Sequence, residues 1–125
     1  MSEKTNIQHK SFDFAVRAVK LYQYLSTEKN ECVLSKQLLR SGTSIGANVN
    51  EAQAAQSKAD FIAKMSIASK EARETNYWIQ LLCETNYLDI KQEYVITLIN
   101  DIDEIIRILT SIVKTSQQNK LNEKG

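Results

Sequence analysis

No proline occurs in the 125 residues, and glycine appears only at Gly42, Gly46 and Gly125. A sheet protein turns at such residues, so their shortage excludes a β-rich fold and leaves helices. Histidine is as scarce. His9 is the only one, and it lies in a polar N-terminal segment, residues 1–10, read as flexible. With one histidine there is no Cys/His or Ser/His pair for nucleophilic catalysis in the helical part of the chain. Nor are there the Glu-x-x-His pairs of a di-metal bundle, because Glu71 and Glu74 give only Glu-x-x-Glu. Helical ribonucleases that place an arginine shortly before a histidine are disfavoured too, since no arginine precedes His9. Cys32 and Cys83 are isolated, without metal-ligand spacing, and read as buried thiols rather than a disulfide or zinc site. No stretch approaches the roughly 20 apolar residues that span a bilayer, and the first residues lack an apolar signal-like core. The chain is therefore expected to be cytoplasmic, without a membrane partner, cofactor, metal or small-molecule substrate.

Net charge is also small, +1, too little by itself to mark a nucleic-acid binder. It is unevenly placed. Residues 1–70 carry ten Lys/Arg against six Asp/Glu, and residues 71–125 carry six against nine.

What is present is periodic apolar sequence, and 42% of the residues are apolar, enough for one domain with its own core. The first helix is predicted to start at Ser11 as N-cap, with Asp13 near the positive end of the dipole. Phe14, Ala18, Leu21 and Leu25 recur at helical spacing, with Phe12, Ala15, Val19 and Tyr22 widening the face. A second helix over 33–55 carries Leu38, Gly42, Ile45, Val49 and Ala52, beside a thinner row of Ser41, Ser44, Asn48, Glu51 and Ala55. Ser57 and Asp60 resemble a capping box opening a third helix, whose seam is Phe61, Met65, Ala68, Ala72, Thr75, Ile79 and Leu82. A fourth runs from Asp89, the predicted N-cap, to about Lys114, with Val95, Leu98, Ile102, Ile105, Leu109 and Ile112 as its seam. Four such helices with short links predict an all-α, antiparallel up-down four-helix bundle over residues 11–115. Residues 116–125 read as a disordered tail.

Gly42-Thr-Ser-Ile-Gly46 lacks the preceding strand and the Gly-Lys-Ser/Thr of a phosphate loop, so it reads as close helix packing. Ser44, Asn48, Glu51, Glu71 and Glu74 lie in or beside apolar seams, where polar groups need partners. They are expected to form a structural polar network with Arg40, Lys70 or Arg73 as counter-charges. The alternative is a small pocket lined by carboxylates. Ile99, Ile106 and Val113 widen the fourth helix's stripe, either as core or as a second interface, and Trp78, beside Tyr77, favours an oligomer interface made of these four residues.

The run Lys36-Gln-Leu-Leu-Arg-Ser-Gly-Thr-Ser-Ile-Gly-Ala-Asn-Val-Asn-Glu-Ala52, followed by Lys70-Glu-Ala-Arg-Glu-Thr-Asn-Tyr-Trp78, resembles the bacterial 23S ribosomal RNA intervening-sequence proteins over roughly residues 10–115. The resemblance implies a non-enzymatic four-helix bundle that forms a homo-oligomer, a pentameric ring. It also implies a fold similar to the accessory variability proteins of diversity-generating retroelements, which are basic and bind nucleic acid. This chain departs from those relatives in its near-neutral balance.

Two functions follow. In the first, Arg17, Lys20, Lys36 and Arg40 form a basic face for structured RNA or DNA, made effective by repetition around the ring; otherwise they are an ordinary solvated face. In the second, the oligomer is a protein-protein interaction scaffold with no nucleic-acid role.

Overall fold

The computed structural model describes residues 3–124, and the side chains within 6–123. Four helices account for nearly all of them: α1 (Glu3–Glu28), α2 (Leu34–Ala52), α3 (Lys58–Glu84) and α4 (Glu93–Lys124). Each packs on the next, and α4 closes against α1 in the least extensive of the four contacts. Pairs across each contact run in opposite numerical order. Examples are Arg17 with Asp101 and Lys10 with Glu104 between α1 and α4, and Glu51 with Lys64 and Arg40 with Glu71 between α2 and α3. All neighbours are therefore antiparallel, and the all-α four-helix bundle expected from periodicity is the fold.

The predicted seams are the core. Phe14, Leu25, Leu38, Ile45, Met65, Ile79, Leu82, Ile102, Ile105 and Leu109 are among its fully buried side chains. Glycine thins α2 where α1 crosses it. A Cβ on Gly42 would lie 2.9 Å from Ala18 Cβ, and one on Gly46 would lie 3.1 Å from the backbone oxygen of Ser11. The Gly-x-x-x-Gly stretch is thus a close-packing device, as expected.

The ends of the helices differ from the sequence expectation. α1 begins at Glu3 rather than Ser11, because Ile7, 0% exposed, continues the core seam one turn back. Ser11 is not a cap. It is buried mid-helix, and its hydroxyl donates to Gln8 O at 3.2 Å. The segment read as flexible is helical from residue 3, and residues 1 and 2 lie outside those described. Likewise α4 does not stop near Lys114. No glycine or proline breaks it before Gly125, and its last turns run beside the start of α3, where Lys58 pairs with Glu123. The stretch read as a disordered tail is therefore helical through Lys124.

Local chemistry explains the remaining boundaries. Asn30 (φ 55°) and Asn86 (φ 68°) adopt the left-handed conformation just beyond α1 and α3. There Glu31 N donates to Leu25 O and Tyr87 N to Leu82 O, each at 2.9 Å, which closes both helices in the manner usually assigned to glycine. Ser57 caps α3 as predicted, accepting from Asp60 N at 3.0 Å. α2 ends at Ala52, three residues early, because Gln53–Ser57 forms the turn into that cap. Asp89 is not the cap of α4. Its carboxylate accepts from Lys91 N two residues on, an Asx-turn, and the helix opens at Glu93.

Candidate functional site

Between α1 and α4 two facing rows line a groove. Arg17, Leu21 and Tyr24 recur at 4 and 3 on α1, and Tyr94, Leu98 and Asp101 do so on α4. Because the helices are antiparallel, charge meets charge at one end, Leu21 faces Leu98 in the middle, and Tyr24 lies across the groove from Tyr94 at the other. Arg17 Nη1 donates to Asp101 Oδ2 at 2.7 Å, and Nη2 donates to Tyr94 O at 2.8 Å and Thr97 Oγ1 at 3.0 Å. This guanidinium ties α1 to the first turns of α4. Above it opens a cavity of about 430 Å³, lined by Arg17, Lys20, Leu21, Tyr24, Gln92, Tyr94 and Leu98. Burial is the main influence holding the Tyr94 hydroxyl above the ordinary tyrosine range, followed by the nearby Tyr24, Asp89 and Cys83.

The predicted basic face is divided. Arg17 and Lys20 belong to this α1/α4 groove, whereas Arg40 turns the other way, from α2 towards α3. There its guanidinium donates to Glu71 at 3.2 Å and also to Glu74. Both arginines are held by carboxylates of the same chain. Lys20 and Lys36 are exposed, with no ion pair among the described residues.

The five polar seam residues fall into separate local sets. Asn48 donates within α2, to Ser44 O at 2.9 Å and Ser44 Oγ at 3.1 Å. Glu51 is exposed and pairs with Lys64 at 3.2 Å. Glu71 and Glu74 receive Arg40, and Glu74 also accepts from Trp78 Nε1 at 3.3 Å. The buried polar pair between α2 and α3 is a different one: Thr75 donates to Ser41 Oγ at 2.8 Å, and Ser41 donates to Leu38 O at 3.4 Å. Thr75 interrupting an otherwise apolar seam was its only signal in the sequence.

Trp78, Ile99, Ile106 and Val113 are partly buried and pack against their own core. Tyr77, which meets Trp78 edge-on at 5.1 Å, is the more exposed of that pair. The apolar row left outside lies on α1 instead. Phe12 (68% exposed), Val16 (38%) and Val19 (39%) recur at 4 and 3 on the side away from the core. By spacing Phe12 and Val19 belong to the flank of the core face, but the core of α1 lies on its other side and leaves both exposed. Phe12 also edges a cavity of about 460 Å³ between α1 and α2, floored by small side chains at Ala15, Thr43, Gly46 and Ala47.

Cys83 is half-buried, and burial raises its thiol pKa, whereas Cys32 is exposed in the α1–α2 connection rather than buried. His9 is exposed on α1. Among the described residues no three His, Cys, Asp or Glu side chains cluster as metal ligands, and no helix is long and apolar enough to cross a membrane.

A family model described as 23S rRNA-intervening sequence protein matches residues 3–111. Among solved structures, a protein of unknown function from the S23 ribosomal protein family of Bacteroides thetaiotaomicron superposes with a TM-score of 0.85. It is 51% identical, and the match covers 90% of this chain and 99% of that one. No protein of curated function matches.

Proposed function

Because the chain belongs to the 23S rRNA-intervening sequence protein family, we propose that it is a non-enzymatic bundle that acts as an assembly of identical copies, a ring of five, and associates with structured RNA. The observation that carries this reading is the apolar row Phe12, Val16 and Val19 on the outer side of α1. A large apolar row facing water is disfavoured unless something covers it. The cavity of about 460 Å³ beside it, edged by Phe12 and floored by Gly46 and Ala47, is where an apolar side chain of a second copy would dock. For RNA, two of the four residues of the predicted basic face, Arg17 and Arg40, are held by carboxylates, and Lys20 and Lys36 are the two of that face with no ion pair among the described residues. Repetition around a ring multiplies such weak contacts through effective concentration, and that is how a near-neutral chain associates with a polyanion. The binding is then strongly salt-dependent.

Light scattering after size exclusion tests the assembly. The wild type elutes as an oligomer, and Phe12→Ser shifts it towards the monomer while the isolated bundle stays folded, because Phe12 contributes little to its own core. A wild type that is monomeric at micromolar concentration overturns the reading. Electrophoretic shift of a structured RNA by the oligomer, lost on adding salt, tests the RNA part. The scaffold alternative predicts a partner that survives nuclease treatment, and Tyr77, exposed beside Trp78, is the side chain that favours it.

A further inference from the structure

The α1/α4 groove has a definite chemical character. Its floor is apolar, formed by Leu21 and Leu98, both nearly buried. Its walls at one end are Tyr24 and Tyr94, 39% and 41% exposed, and neither ring forms a ring-to-ring contact among the described residues. At its rim stands Lys20, whose ammonium has no ion pair among the described residues. A volume of about 430 Å³ lies in the range of ligand sites. From Arg17 to Tyr24 the groove spans seven residues of helix, about 10 Å at 1.5 Å per residue, the length of one or two nucleotides. Partly exposed tyrosine rings over an apolar floor, with an unpaired cation at the edge, complement a flat ring that carries an anion.

We propose that this groove takes an unpaired nucleotide of single-stranded RNA, its base against Tyr24 and Tyr94 and its phosphate on Lys20. The inference rests on the RNA association proposed above and names the part of the RNA that is recognised. Only an unpaired base has free faces to offer, since in a duplex both are stacked on neighbours. Arg17 acts as a positioning residue. Its bonds to Asp101 and the Tyr94 carbonyl hold the two rows at a fixed separation and leave Lys20 as the cation for phosphate.

The test is fluorescence anisotropy of the full chain with a short unstructured labelled RNA and with a fully paired duplex of the same composition, at low salt. Tyr24→Leu and Tyr94→Leu keep the apolar lining and remove the π faces, and each is expected to weaken single-strand binding by about tenfold or more. Tyr94→Phe retains the ring and retains binding. Lys20→Gln weakens binding more than Lys36→Gln does. Circular dichroism melting of every variant separates loss of the site from loss of the fold. Duplex bound as tightly as single strand overturns the groove proposal. So does single-strand binding that both leucine variants leave unchanged, and in either case RNA association still stands. If neither RNA binds the wild type at low salt and high protein concentration, the RNA reading itself falls.

Discussion

Gly42→Ala adds one methyl where α1 and α2 are closest. The new Cβ would sit 2.9 Å from Ala18 Cβ and 3.6 Å from Phe14 Cε1, against an optimum of roughly 3.5–4.0 Å between carbon atoms. Ala18 Cβ is fixed to the backbone and cannot rotate away, so the helices must separate by several tenths of an ångström. Two effects oppose each other. Alanine is favoured over glycine inside a helix by about 1 kcal/mol, while overpacking a filled contact costs about 1–3 kcal/mol. The close approach wins, and a net loss of about 1 kcal/mol is expected, a fall in Tm of about 4 °C for a domain of this size. Ala18→Gly removes the opposing methyl. In a double-mutant cycle it should recover stability in the Gly42→Ala background while destabilising the wild type, a coupling of about 1 kcal/mol or more. Urea unfolding followed at 222 nm, at one fixed protein concentration so that assembly contributes equally, measures all four proteins. A rise in stability on Gly42→Ala, or no coupling to Ala18, refutes the packing argument.

Glu31, buried, accepts from Leu34 N at 2.5 Å and Ser35 N at 3.1 Å at the start of α2. Glu31→Gln leaves one acceptor oxygen for two donors, and should cost about 1–2 kcal/mol and speed hydrogen exchange at those two amides. Thr75→Val takes away the donor to Ser41 Oγ and should cost about 1 kcal/mol. Ser41→Ala costs less, because Thr75 keeps Glu71 O at 2.8 Å, and the double variant recovers part of the loss in urea unfolding. Burial raises the folded-state pKa of Tyr94 above its unfolded value, so the unfolded chain releases that proton first. The hydroxyl's contribution to stability is complete below the ordinary tyrosine pKa and is lost as pH rises through the folded value. Ultraviolet titration should show a tyrosine ionising late, and Tyr94→Phe should abolish that step.

Sequence periodicity located the seams well but the helix ends poorly. Ser11 was a reasonable cap by residue type, yet Ile7 one turn earlier extends the apolar stripe, and burial of a whole side chain outweighs one capping hydrogen bond. Asp89 has the same local credentials and forms an Asx-turn instead. The functional groups were less legible still. Arg17 and Arg40, alike in sequence as exposed cations of adjacent helices, lean towards different neighbours and meet different carboxylates. Glu31, a charged residue in a connection, gave no sign that it would be buried as a cap.

The sequence by itself determined four amphipathic helices, their core-facing rows and the thin glycine stripe, because side-chain period is a property of the local chain. Only the tertiary structure decided which residues flanking those rows face inward. Ile99, Ile106 and Val113 flank their row as Phe12 and Val19 flank theirs, yet the first three meet neighbouring helices and the other two meet water. The same packing parted the basic residues and set Tyr24 opposite Tyr94. A flank is buried or free according to where the adjacent helix lies, and that is fixed by residues distant in the chain.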